Sequence, residues 1–287
     1  LEKLAFDWIP GLWKTPFSQQ TTNRLSCTSD AVFITALPEE FSAVRAHLSE
    51  RSEQVENGTV YEIGQFQTDG VDCKVAVVQT GMGNAQSAAA TERALSLFRP
   101  SFAFFVGIAG GLRDDLRIGD VVAADKVYGY ESGKAGATFQ PRPDATSVSH
   151  EAIQRASAVV RDNLWQERIN PPPTNMPAAM VKPIAAGEKV LVSEASEDLR
   201  RLRATYTDAH AVAMEEHGFG VAVRCHTQVC FAVVRGISDL IENKDHTDRG
   251  GSHEIAARNA AAFAFEMLVG LLRARTQSRD SERPFID

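Results

Sequence analysis

Short apolar runs alternate with helix-length amphipathic segments along most of the chain. Ala31–Ile34 precedes a segment from Glu39 to Glu50, and Val75–Val78 precedes one from Ala85 to Phe98. Phe102–Val106 and Val121–Ala124 follow; after a long interval come Phe231–Val234 and a final segment. In that segment Ile255, Ala262, Phe265, Leu268 and Leu272 recur at helical spacing. Apolar runs this short, with no polar alternation, predict strands buried on both faces, and the longer segments predict helices that bury one side. Ser252 stands where it can cap the final helix, with Glu254 in the first turn. Pro171, Pro172, Pro173 and Pro177 predict a loop that helix cannot cross. The class is α/β, with one central sheet covered on both faces.

The two ends differ from this body. Residues 1–30 form an arm that crowds Phe6, Trp8, Ile9, Leu12, Trp13 and Phe17 into a short stretch before turning polar. It is too short for a core of its own, and either packs on the body or meets another domain or subunit. Residues 31–275 make up the α/β domain, and 276–287 read as a loose polar tail.

Composition narrows the function. The 287 residues are 44% hydrophobic and 23% charged, as in an ordinary soluble globular protein. A net charge of -7 disfavours a protein that coats DNA or RNA, which needs surplus Lys and Arg. No stretch reads as the roughly 20 apolar residues of a membrane span, and the sequence, beginning at Leu1, opens with no basic-then-apolar leader. Cys27, Cys73, Cys225 and Cys230 form no C-x-x-C pair, so free thiols in a reducing cytoplasm are expected. Cys225 and Cys230 with His217 and His226 match no zinc spacing, and no metal is expected.

Ligands of open α/β sheets sit beyond the carboxyl ends of strands, so the residues after each apolar run carry the chemistry. These are Thr35–Glu40, Thr80–Asn84, Gly107–Gly111, Ala211–Glu216 and Arg235–Asp239. Gly81-Met-Gly83 opens a helix, but Gln86 stands at the third glycine of a dinucleotide fingerprint and no ribose-binding acid ends the next strand. A P-loop and a G-x-S-x-G elbow are both missing. What remains is Glu40, Glu215, Asp239 and Arg235 beside glycine-rich turns that let backbone N–H groups approach a ligand. Separate carboxylates suit acid–base work, one activating water and another protonating a leaving group. A third can hold paired hydroxyls, as cleavage of a ribose–base bond requires. Each residue also has a plainer use: Glu39 and Glu40 can charge a helix start, Gly110-Gly111 can be a bare turn, and Asp239 can cap a helix.

In these residues the chain resembles the nucleoside phosphorylase and nucleosidase superfamily, and within it the methylthioadenosine/S-adenosylhomocysteine nucleosidases. The resemblance runs from about residue 31 to 273. It is carried by Thr35–Glu40, Gly81–Gly83, Val106–Leu112, Ile118–Val122, Gly187-Glu188, Val212–Glu215 and Val234–Asp239. The stretch Tyr128–Lys134 is similar to nucleosidase domains used as immune effectors, some of which act on ATP. The resemblance implies a three-layer α/β/α fold with a mixed, twisted sheet, no cofactor, and a dimer or higher oligomer. It implies Glu40 as the base that activates water, Asp239 as the acid at purine N7, and Arg235 beside the attacking water. Glu215 and Met214 would hold the sugar, Ser238 would orient Asp239, and Ala109, Gly110 and Val190 would line the substrate site.

Three positions depart from the pattern. Ile108 replaces a hydroxyl residue near the phosphate or water, Val190 an aromatic that stacks on the purine, and Ala213 a second glutamate. The expected activity is purine N-ribosyl hydrolysis releasing adenine, with ATP as substrate in antiviral defence. The alternatives are a methylthioadenosine/S-adenosylhomocysteine nucleosidase, a phosphate-dependent purine nucleoside phosphorylase, and a non-catalytic nucleotide-binding or oligomerisation module. Lys134, Arg113, Arg117 and Arg142 are the candidates for a triphosphate clamp. The partner is a purine nucleoside or nucleotide, not nucleic acid or membrane.

Overall fold

The computed structural model describes residues 29–68, 70–193, 195–241 and 251–281. The aromatic arm, Cys27 and the end of the tail lie outside them. In chain order the first half carries β1 (Ala31–Thr35), α1 (Pro38–Arg45), β2 (Ser49–Glu56), β3 (Thr59–Thr68), β4 (Val71–Gln79), α2 (Asn84–Phe98) and β5 (Phe102–Gly111). Next come β6 (Val121–Ala123), β7 (Lys126–Gly129), β8 (Gly133–Lys134), β9 (Gln140–Pro141), β10 (Asp144–Ser147) and α3 (His150–Asp162). A 3-10 turn (Leu164–Arg168), β11 (Ala179–Val181), β12 (Ile184–Ala186), α4 (Glu197–Thr205), β13 (Ala211–Ala213), α5 (Glu216–Val223), β14 (Cys230–Asp239) and α6 (Ser252–Ser281) complete it.

The five apolar runs all lie in strands, and β1 and β14 are buried at every position. β5 is the hub: its first residues run parallel to β1 on one side and to β14 on the other. Its end then pairs antiparallel with β13, where Ala211 faces Gly111. β4 continues the sheet in parallel from β1, while β3 and β2 add antiparallel edges. The result is a mixed twelve-stranded sheet with helices on both sides. α1 and α3 pack with α6, and α2 packs with α5.

Several local readings need correction. The helix expected over 39–50 stops at Arg45, and Ser49–Glu56 forms the exposed edge strand β2. Its Ser, Glu and Arg side chains face solvent and discourage further strand pairing, and carry no apolar signal to read. Strands β2, β3 and β7–β10 lack the uniform apolar runs that marked the others, and β11 and β12 are apolar but only three residues long.

The final helix is buried nearly all round from Ala256 to Leu271 rather than along one face, and Ile255 is 37% exposed. Small residues explain the close fit: a Cβ on Gly236 of β14 would run into the Ala256 backbone. Ser252 is its first residue, and the helix reaches Ser281, into the segment read as a tail. Over Ser252–Gln277 it is long and apolar enough to cross a membrane, contrary to the sequence reading, but 72% of its most apolar stretch is buried inside the protein. Here that apolar surface covers the sheet.

Candidate active site

α1 begins just beyond β1, and its third residue is Glu40. The Glu40 carboxylate turns back over the helix start. Oε2 accepts hydrogen bonds from the N–H groups of Ala36 (2.7 Å) and Leu37 (3.0 Å). Oε1 accepts from Ile108 N–H at 2.8 Å and from Arg235 Nη1 at 3.3 Å. The helix-start role and the site role are therefore filled by one side chain, which is 1% exposed. Burial pushes its pKa above the ordinary 4.5, against the pull of Arg235 and these three N–H donors.

Asp239 closes β14 and is buried. Its Oδ1 accepts from Ile241 N–H at 3.1 Å, across a turn in which Ile241 has φ 62°, a conformation branched residues rarely adopt. Ser238 Oγ lies 3.1 Å from Asp239 Oδ2 and 3.3 Å from the Ala109 carbonyl. A hydroxyl has one proton. It can donate to the Ala109 carbonyl or to Asp239 Oδ2, one at a time.

Glu215 follows β13. It accepts from the N–H groups of Gly83 and Met214 and from Arg235 Nη2, each at 3.3 Å. Glu40, Glu215 and Asp239 line one cavity of about 400 Å³, with Ala109, Gly110, Met214, Val190 and Ser238. Leu37, Met82, Ile108, Leu191 and Val212 give the same cavity apolar walls. Residues far apart in sequence meet here because β1, β5, β13 and β14 are neighbours in the sheet.

Arg235 is placed differently from the expectation. It is fully buried and does not line the cavity. Its guanidinium lies over the Phe105 ring at 4.5 Å and joins Glu40, Glu215 and Glu216 from behind. Opposing carboxylates raise its already high pKa. None of Lys134, Arg113, Arg117 and Arg142 lines the cavity. Arg113 donates to the Ala209 and Thr207 carbonyls instead. Among the described residues, the cavity's basic side chains are Lys189, whose Nζ pairs with Asp198 at 2.9 Å, and His253.

Two further residues were not singled out by the sequence. Asn84 opens α2; its Nδ2 donates to the Gly187 carbonyl (2.9 Å) and to Glu188 (2.8 Å), and its Oδ1 accepts from Gly218 N–H (2.9 Å). It fastens segments that approach the cavity from separate parts of the chain. Glu216 is fully buried beside Arg235. Position after a glycine turn signals Asn84 weakly, and Glu216 reads as an ordinary charged residue at a helix start.

The domain described by this geometry matches the family model described as the phosphorylase superfamily over residues 30–269. The chain belongs to the phosphorylase superfamily. Among curated superfamily members, the 5'-methylthioadenosine/S-adenosylhomocysteine nucleosidase of Colwellia psychrerythraea is 27% identical, over 86% of this chain and 98% of its own. The ATP nucleosidase Cap17 of Escherichia coli is 28% identical over 96% of this chain, which spans 56% of that longer protein. The structure of the Colwellia nucleosidase in complex with adenine superposes with a TM-score of 0.68 at 25% identity, covering 84% of this chain and 95% of that one. The futalosine hydrolase of Helicobacter pylori has the same fold, with a TM-score of 0.68 at 19% identity over 84% of this chain and 97% of its own.

Proposed function

We propose that this superfamily member is a nucleosidase, a hydrolase of N-glycosyl compounds that releases adenine from an adenine nucleoside or nucleotide. The observation that carries the reading is the meeting of Glu40, Glu215 and Asp239 on one largely apolar cavity. Ionised Glu40 takes a proton from a water molecule, whose oxygen forms the new bond to C1′ of the ribose. The C1′–N9 bond breaks, its electron pair passes to the purine, and Asp239 supplies the proton at N7. Positive charge gathers on the sugar as the bond stretches, and surrounding carboxylates stabilise it electrostatically. Glu215 takes the ribose hydroxyls. Each proton-transfer role contributes about 10²–10⁴ in rate.

Water rather than phosphate is the acceptor in this reading. Arg235 already faces three glutamates, and Ile108 gives the cavity no hydroxyl for an anion. For the finer substrate we favour ATP, on the likeness to the ATP nucleosidase across almost the whole chain. The apolar walls favour a second reading, a methylthioadenosine-type substrate. Cytoplasmic placement, self-association and a role in antiviral defence belong to the same proposal; buried Cys73 and Cys230, both free thiols, suit the first.

Chromatography of products from ATP, AMP, adenosine and methylthioadenosine, with and without inorganic phosphate, tests the reading. Free adenine together with ribose 5′-triphosphate is expected from ATP without added phosphate. Free adenine from methylthioadenosine alone transfers the assignment to the second reading. Base release that requires phosphate makes the chain a phosphorylase, and no base from any compound removes the enzyme reading.

A further inference from the structure

Arg235 is encircled by three buried glutamates, and only two of them line the cavity. The third, Glu216, is the first residue of α5 and is 0% exposed. One of its oxygens pairs with Arg235 Nε, and the other accepts the N–H of Glu215 at 3.2 Å. The remaining guanidinium nitrogens are committed: Nη1 reaches Glu40 and the Ile108 carbonyl, and Nη2 reaches Glu215, all at 3.3 Å. Glu216 thus grips both the shared cation and the backbone that carries Glu215.

We propose that Glu216 is a positioning residue for the hydrolysis, holding Arg235 in the plane from which its two other edges set Glu40 and Glu215. This rests on the nucleosidase reading above. It also acts on charge. Three carboxylates share one guanidinium out of contact with water, so each added negative charge makes ionising the others harder. The charged groups facing Glu216 are Arg235 from β14 and the adjoining Glu215, with Glu40 beyond the guanidinium; α2 presents the uncharged Asn84 nearby, bonded to Gly218. Burial and Glu215 raise the Glu216 pKa to about 7, against Arg235.

The test compares adenine release by wild type, Glu216→Gln and Glu216→Asp across pH, on whichever substrate the wild type cleaves, with thermal unfolding as the folding check. An amide cannot present oxygen to both Arg235 and the Glu215 N–H, so Glu216→Gln is expected to lose about ten- to a hundredfold in kcat. The wild-type profile is expected to carry an inflection near 7, where Glu216 changes charge, and Glu216→Gln to lack it. Glu216→Asp keeps the charge but shortens the reach; its kcat falls while the inflection persists. A purely structural residue would lower kcat without changing the profile in either variant, and that result overturns the proposal, as does a wild-type profile in Glu216→Gln. Should the glutamine variant not fold, a wild-type kcat in the aspartate variant overturns it. A wild type that cleaves nothing removes the nucleosidase reading itself, and with it the reaction Glu216 serves.

Discussion

Gly107 lies on β5 where the chain passes beneath Glu40 and Arg235, and replacing it with alanine tests the site without deleting any functional group. An added Cβ would fall 2.6 Å from Glu40 Cδ, and nearer still to Glu40 Oε1 and Arg235 Nη1. Unbonded carbons settle at about 3.5–4.0 Å, so the carboxyl must retreat by roughly 1 Å. Both side chains are buried and held by several hydrogen bonds, so the retreat breaks contacts that position them. A displacement of about 1 Å at a reacting group costs on the order of a hundredfold in rate. Overpacking a core position costs about 1–3 kcal/mol, within the roughly 5–15 kcal/mol that holds a domain folded. Gly107→Ala is therefore expected to unfold cooperatively a few degrees early while its kcat for adenine release drops at least a hundredfold. Liquid chromatography of the released base and a circular-dichroism melt read the two quantities. A folded Gly107→Ala enzyme with wild-type turnover would refute the placement of Glu40 as the base.

Other consequences follow from the same geometry. Glu40→Gln and Asp239→Asn should each lower kcat by about 10²–10⁴, and a folded variant retaining most of its turnover removes that residue's assigned role. Because burial raises the Glu40 pKa, and the base works only when ionised, kcat should fall as pH drops through a value above 4.5; turnover that persists unchanged below that point contradicts it. Glu216 binds its proton more tightly folded than unfolded, so the stability it lends is full below its unfolded value near 4.5 and is lost as pH rises through about 7. Melting temperatures of wild type should decline over that interval relative to Glu216→Gln, and parallel curves would count against a buried titrating group there. Trp165 is fully buried, its ring 5.5 Å from that of Phe263, so Trp165→Ala should cost about 3–5 kcal/mol in urea unfolding without altering the pH profile of turnover.

The chain's own pattern determined a good deal. Uniform apolar runs can only be strands covered on both sides, because any exposed face would have selected polar residues, so β1, β4, β5, β6 and β14 were legible. The short strands from β7 to β12 were not: β8, β9 and β10 carry turn-like residues, and β11 and β12, although apolar, are only three residues long and take their geometry from their neighbours. The carboxylates at strand ends were visible because ligand sites of such sheets lie there; Glu40, Glu215 and Asp239 do share a cavity.

What only the tertiary structure decided is which groups face the ligand and which stand behind them. Arg235 was expected beside the attacking water, and strand pairing and Phe105 place it under the carboxylates. Glu216 is adjacent to Glu215 in sequence but reaches Arg235 Nε and stays out of the cavity that Glu215 lines, a difference of direction that no spacing records. None of the four triphosphate-clamp candidates lines the cavity, for a similar reason: a positive charge in the sequence carries no information about the side of the sheet it reaches. Sequence fixes which side chains exist near a strand end, whereas the registers of β5 with β13 and β14 fix their mutual directions, and acid–base chemistry depends on those directions to within about 1 Å.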